Sequence, residues 1–189
     1  MLEFCFFSIT PVLHYSNTPF FSNTMNAAET TGDEIVNVST HLTRMAREQP
    51  YKRAVVYPAG RDRNKRVTYA HLTFRQLEQE VDRLAHGLNS AGITRQTRTV
   101  LMVKPSIEFF ALIFAIFKTG AVPVVVDPGM GIKRMLSCYR STRPEAFIGI
   151  PLAHAARLLC GWGRRTVKSK VTVGRRLFWG GTTLAELEE

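Results

Sequence analysis

Between Arg98 and Ile150 the chain is organised in apolar blocks, and these blocks set the reading of everything around them. Thr99–Val103, Val122–Val126 and Ala146–Ile150 are short, strongly apolar runs. Such runs suit strands covered on both faces, as in a parallel sheet with helices packed on each side. Between the first two lies Ile107–Thr119, whose core FFALIFAIF is apolar nearly all round and predicts a buried helix. Pro105 and Ser106 stand where a helix start tolerates Pro and prefers Ser, and Gly120 stands where a helix ends. Strand, helix and parallel strand in this order make a right-handed crossover. Ile132, Met135, Leu136 and Tyr139 then give a further helix its inner face, leading into the third strand.

The flanking segments extend this pattern. Val38, Leu42, Met45 and Ala46 recur at helical spacing, and Pro50 closes that helix. Arg53–Tyr57 and Arg66–Tyr69 read as two strands of a hairpin around the polar loop GRDRNK. Thr73 begins a capping-box pattern with Gln76, followed by a stripe of Leu77, Val81, Leu84, Ala85 and Leu88 that Gly92 ends. Pro151 opens a helix running to about Cys160, stopped by Gly161. Lys168–Val173 and Arg176–Trp179 predict two more short strands, and Thr182–Glu189 reads as the opening turn of another helix. The fold class is therefore α/β: an incomplete doubly wound, mostly parallel sheet with flanking helices, plus an N-terminal β-hairpin.

Residues 1–34 differ from the rest, being rich in Phe, Ser, Thr and Asn. Residues 1–26 have no Lys or Arg, and Pro11 and His14 interrupt the apolar run, so the segment lacks the build of a secretory signal. It also lacks the ~20 apolar residues of a membrane span, and Glu108 and Lys118 interrupt the apolar helix that follows later. The segment reads as a disordered extension preceding a folded region at 35–189, with Met25 as a candidate true start. N-terminal mass spectrometry of the native protein tests the start, and a peptide covering Glu3–Phe20 overturns it.

A formal charge of +10 and a pI near 10.0 change the picture only in part. The excess is concentrated in Arg44–Arg75 and Arg157–Arg176, and no Asp or Glu occurs between Glu145 and Glu186. A basic surface can meet nucleic acid, anionic lipid or a polyphosphate. The charges are not interleaved with aromatics and no nucleic-acid-binding signature is present, which argues for a solvated surface or for acidic partner segments lying elsewhere. Cys5, Cys138 and Cys160 are odd in number and far apart, as expected of reduced cysteines in a cytoplasmic protein rather than a disulfide framework or zinc site.

Ligands of open α/β sheets collect beyond the carboxyl ends of the strands. Asp127, Gly129, Met130 and Gly131, directly after the second strand, are therefore candidates for a pocket edge, although Asp-Pro-Gly also serves as a plain tight turn. His154 joins them as a candidate, against the alternative of a hydrogen-bonded packing residue. Trp179-Gly180-Gly181-Thr182-Thr183 has the composition of a phosphate-binding turn but lacks a following Gly-Lys, so a strand end and helix cap account for it better. No GxxxxGK[ST], GxGxxG, GxSxG or HExxH pattern occurs.

The run Leu72-Thr73-Phe74-Arg75-Gln76-Leu77, with Leu84-Ala85-His86-Gly87-Leu88 and Ala91-Gly92-Ile93, resembles the N-terminal part of AMP-forming acyl ligases. Phe109-Phe110-Ala111 and Phe117-Lys118-Thr119-Gly120-Ala121-Val122-Pro123-Val124 fit the helix–turn–strand entering that family's sheet. Asp127–Gly131, Ala146–Pro151, Ala153-His154, Trp162 and Val171–Gly181 are similar to a bacterial branch of fatty-acid CoA ligases that includes β-lactone synthetases of olefin biosynthesis. The resemblance covers about Ile35 to Leu187.

It implies a reaction in which a long-chain fatty or β-hydroxy acid attacks the α-phosphate of ATP, with Mg²⁺ neutralising charge and pyrophosphate leaving. The acyl-adenylate is then captured by a thiol such as CoA, or by the substrate's own β-hydroxyl. A complex with pathway enzymes is the kind of partner such a protein has. The family's phosphate loop, adenine- and ribose-binding motifs and small C-terminal domain follow the segment seen here. The chain therefore reads as an N-terminal portion, inactive alone, with no catalytic residue assigned. A non-catalytic basic interaction module is the alternative.

Overall fold

Thr73 ends one strand and starts one helix, and it shows how closely local sequence sets the architecture. Its hydroxyl accepts from the Gln76 backbone N–H at 3.3 Å, while the Gln76 side chain accepts from the Thr73 N–H at 2.9 Å. This reciprocal pair satisfies two donors that a helix start otherwise leaves open. Thr73→Ala is expected to cost about 1 kcal/mol, read as a lower urea midpoint, with Thr73→Ser close to the parent. An unchanged midpoint in the alanine variant would show the cap to be idle.

The structure is a computed structural model describing residues 37–125 and 131–187. Helix α1 (Ser39–Glu48) leads to the antiparallel hairpin β1 (Arg53–Arg61) and β2 (Val67–Thr73), then to α2 (Phe74–Ser90). The central unit is β3 (Arg98–Met102), α3 (Ile107–Lys118), β4 (Val122–Val124), α4 (Ile132–Thr142) and β5 (Ala146–Gly149). It continues through α5 (Pro151–Leu159), β6 (Ser169–Thr172), β7 (Thr182–Thr183) and α6 (Leu184–Leu187). The expected disordered extension at 1–34 and the Met25 start lie outside the described residues.

Strands β4-β3-β5-β6-β7 form one five-stranded parallel sheet in that order. Successive side chains alternate across it. Leu101, Ala146, Ile148 and Val171 pack with α1, α2, α3 and α6, whereas Val100 and Phe147 pack with Met135, Tyr139, Ala153 and Trp162 on the opposite face. The stripe on α2 (Leu77, Val81, Leu84, Ala85, Leu88) is buried throughout, as its spacing predicts. Among the described residues no helix is long and apolar enough to cross a membrane.

Four expectations change. The hairpin is longer than the apolar alternation indicated, because its backbone ladder continues past Pro58 and Gly60 through a register shift. Helix α3 is not buried all round: Ala111, Leu112, Ala115 and Ile116 are buried, but Phe110 is 39% exposed. The helix leans on α2 and the sheet with one side only. The predicted strand Val122–Val126 reduces to an edge strand paired on one side, with Val122 half-exposed and Val126 outside the described residues.

Finally, Arg176–Trp179 is turn rather than strand. Gly180 and Gly181, both at positive φ, redirect the chain so that Thr182-Thr183 pairs with Val171-Thr172 instead. A Cβ on Gly181 would overlap the Lys170 carbonyl, so that position needs glycine for space as well as conformation. The Thr183 and Glu186 pair then caps α6: each accepts the other's backbone N–H, at 3.3 and 2.8 Å.

Candidate functional site

The chain leaves β3 for α3 on one face and leaves β5 for α5 on the other. Adjacent parallel strands that diverge in this way open a crevice at their carboxyl ends, where ligands of α/β sheets bind. Its rim is built from 103–106 after β3, 150–151 after β5 and 173–174 after β6. The rim is tied by backbone bonds: Ile150 N–H to Met102 O at 3.1 Å and Val173 N–H to Gly149 O at 2.9 Å. Ser106 is spent on the helix, its hydroxyl accepting from Phe109 N–H at 3.2 Å, and Lys104 stands exposed beside it. A Cβ on Gly149 would come within 2.8 Å of the Phe147 ring, so glycine lets the strand end lie close against its own aromatic neighbour.

Of the sequence candidates, Gly131 is exposed at the head of α4 with φ +83° and open space about it, so the backbone turn rather than crowding accounts for glycine there. Asp127, Gly129 and Met130 lie outside the described residues. His154 is placed elsewhere. It is fully buried one turn into α5, its Nε2 3.1 Å from the Val171 carbonyl and 3.3 Å from the Thr172 hydroxyl. Its ring lies parallel to Trp179 at 5.2 Å and edge-on to Phe147 at 4.8 Å, and Trp179 Nε1 donates to the Thr172 hydroxyl at 2.9 Å.

The Val171 carbonyl requires a proton on Nε2, which leaves Nδ1 buried and, among the described residues, without a partner. Burial lowers the His154 pKa, Arg157 and Lys170 lower it further, and the Val171 bond opposes them. The sign follows: below about pH 6.5 the unfolded imidazole takes a proton that the folded one refuses. Stability contributed above pH 6.5 is therefore lost as pH falls through that value. The urea midpoint should drop more between pH 7.5 and 5.5 for the parent than for His154→Gln, and equal drops would contradict this placement of the ring.

Sequence spacing did not reveal that Tyr139, Phe147, His154, Trp162 and Trp179, spread over five segments, form one continuous aromatic cluster. It also missed a cleft of about 350 Å³ between α2, α3 and α6, with Gln76, Gln79, Glu108 and the Glu80–Arg83 pair on its walls. Among the described residues no three His, Cys, Asp or Glu side chains are grouped to hold a metal ion.

The family model described as AMP-binding enzyme matches residues 42–184. An olefin beta-lactone synthetase of Stenotrophomonas maltophilia is 49% identical over 154 residues, covering 80% of this chain and 28% of the relative. One from Xanthomonas campestris pv. campestris is 46% identical over 155 residues, covering 82% and 28%. This chain thus spans between a quarter and a third of the length of these curated relatives.

Among solved structures, coronafacic acid ligase from Pectobacterium brasiliense superposes with a TM-score of 0.65 at 17% identity, covering 80% of this chain and 29% of that one. A long-chain-fatty-acid-CoA ligase from Archaeoglobus fulgidus superposes with a TM-score of 0.63 at 15% identity, covering 81% and 29%. Those structural likenesses speak for the fold: the parallel sheet with its crevice and the preceding hairpin. With the family match spanning most of the described residues, the chain belongs to the AMP-binding enzyme family.

Proposed function

We propose that this chain supplies the framework of the first part of the nucleotide domain in an AMP-forming fatty-acid ligase. The single observation that carries the reading is the 49% identity to an olefin beta-lactone synthetase across 80% of the chain. In this reading a long-chain fatty or β-hydroxy carboxylate attacks the α-phosphate of ATP, and pyrophosphate leaves. The acyl-adenylate is then closed by the substrate's β-hydroxyl or captured by a thiol. Catalysis of this kind rests on positioning and on stabilising charge at phosphorus.

The residues here serve the first of these two needs. Strands β3 and β5 fix the crevice walls, Ser106 anchors the start of α3, and Gly149 allows the close approach behind the rim. No side chain among the described residues is given a catalytic role, because Ser106 is engaged as a cap and His154 is sealed from the crevice. The 189-residue chain on its own is accordingly an inactive framework. The alternative, a non-catalytic basic module, accounts for the charge alone and leaves the sheet and its crevice unexplained.

Segment exchange tests the proposal. Residues 37–187 are placed in the Stenotrophomonas maltophilia relative in place of its matched region. The chimera is expected to release AMP in the presence of ATP, Mg²⁺ and a long-chain 3-hydroxy acid, within about tenfold of the parent rate. A folded chimera that releases no AMP would overturn the reading.

A further inference from the structure

Helix α5 is built inside out. Its polar side chains, His154 and Arg157, are buried, while Leu152, Leu158 and Leu159 face solvent, Leu159 at 88% exposure. Arg157 lies over the Phe147 ring at 5.7 Å; among the described residues it forms no salt bridge and its buried Nε has no hydrogen-bond partner. Rotating the helix by half a turn would return the charge to water and bury the leucines. A surface helix ordinarily takes that orientation. The observed one is held by the His154 bonds to Val171 and Thr172 and by Arg157 over Phe147, and it leaves three leucines for a covering surface to bury.

The 174–178 loop runs beside the start of α5. A Cβ built on Gly174 would lie 3.9 Å from Pro151 at the start of α5, and Trp179 stacks on His154 of the same helix. The loop adds Leu177 and Phe178, the latter 83% exposed. Exposed arginines stand at both ends of the patch in sequence: Arg164 and Arg165 beyond α5, and Arg175 and Arg176 before Leu177. Arg176 pairs with Glu186 at 3.1 Å, whereas Arg164, Arg165 and Arg175 form no salt bridge among the described residues, and no carboxylate lies between Glu145 and Glu186 in sequence. An apolar centre bordered by the unpaired cations Arg164, Arg165 and Arg175 favours an apolar surface with acidic groups at its margin.

We infer that this face is an interface for the polypeptide that AMP-binding relatives carry beyond the region matched here, docked through an apolar centre and acidic rim. The inference rests on the proposed function. It is supported by the 28% share of each relative that this chain covers, since those relatives have further polypeptide of their own to meet the same face. An anionic bilayer is the competing occupant.

Cys160 directly follows Leu159 and is exposed, so its reaction with a maleimide, read by peptide mass spectrometry, reports on the patch. In the full 189-residue chain Cys160 should label freely, and Leu159→Glu and Phe178→Glu should leave the urea midpoint unchanged. In the segment chimera, labelling should slow at least tenfold, and either glutamate substitution should restore it and lower the thermal midpoint. Cys160 labelling equally fast in chimera and isolated chain would overturn the inference. So would protection of the chimera only by phosphatidylglycerol vesicles, which would hand the face to lipid. AMP release by the same chimera separates the outcomes: an active chimera with an open Cys160 sinks this interface and leaves the proposed function standing.

Discussion

Phe147→Ala is expected to destabilise the fold by about 3–5 kcal/mol, the range for removing a large aromatic from a packed core. Phe147 is 1% exposed on β5 and meets three separate elements: Val100 on β3, Ala153, His154 and Arg157 on α5, and Trp162 in the turn beyond it. Truncation would leave a cavity that the strands on either side are too constrained to close. It would also strip the buried Arg157 guanidinium of the aromatic face beneath it, an interaction worth roughly 1–2 kcal/mol when desolvated. Chemical denaturation followed by tryptophan emission checks this directly, since Trp162 and Trp179 both belong to the affected cluster. Phe147→Leu should recover about half of the loss. A Phe147→Ala protein unfolding within ~1 kcal/mol of the parent would show that this face is not the second core.

The next largest effect is expected at Lys118, on the opposite face. Its ammonium bridges Glu78 at 2.7 Å and Asp82 on α2, and Glu78 also accepts from the Thr43 hydroxyl of α1 at 2.6 Å. Three helices therefore meet at one carboxylate whose side chain is only 12% exposed and whose second oxygen is buried without a partner. Burial pulls the Lys118 pKa down, but the bonds to Asp82 and Glu78 outweigh it, and the net direction is upward. Lys118→Met would leave Glu78 largely desolvated with only a hydroxyl for company.

Breaking a fully buried pair costs about 3–5 kcal/mol, and the partial exposure here brings the expectation to about 2–3 kcal/mol. Adding Glu78→Gln to that variant should recover stability rather than lose more, because the penalty comes from the stranded charge. A double variant less stable than Lys118→Met by the full cost of Glu78→Gln alone would mean that the two residues are uncoupled. Since the Lys118 pKa is raised, this contribution is constant across the neutral range and is lost in alkali as pH rises from 10.5 through the raised value.

Most of the scaffold was legible because its signals are local. The Thr73–Gln76 box, the Ser106 cap, Pro151 at a helix start and the α2 stripe each depend on residues within a few positions of one another. What sequence misjudged depends on distant neighbours. Apolar content alone could not say that α3 has one covered side, nor that the pairing place beside β6 goes to Thr182-Thr183 rather than Arg176–Trp179. That choice is made by two glycines and by the Trp179 indole reaching the Thr172 hydroxyl.

The site was legible only as a place. Topology locates the crevice at the carboxyl ends of β3 and β5. The burial of His154 came from Trp179 and Val171, residues 25 and 17 positions away in sequence, and no local pattern points to them.

The most direct test of the account is pyrophosphate exchange by the purified 189-residue chain with labelled pyrophosphate, ATP, Mg²⁺ and a long-chain 3-hydroxy acid. Exchange is expected at the level of the blank, with activity appearing only when residues 37–187 sit within the longer relative. Acid-dependent exchange by the isolated chain would contradict it. Such exchange would place the chemistry, and not only the framework, in these residues.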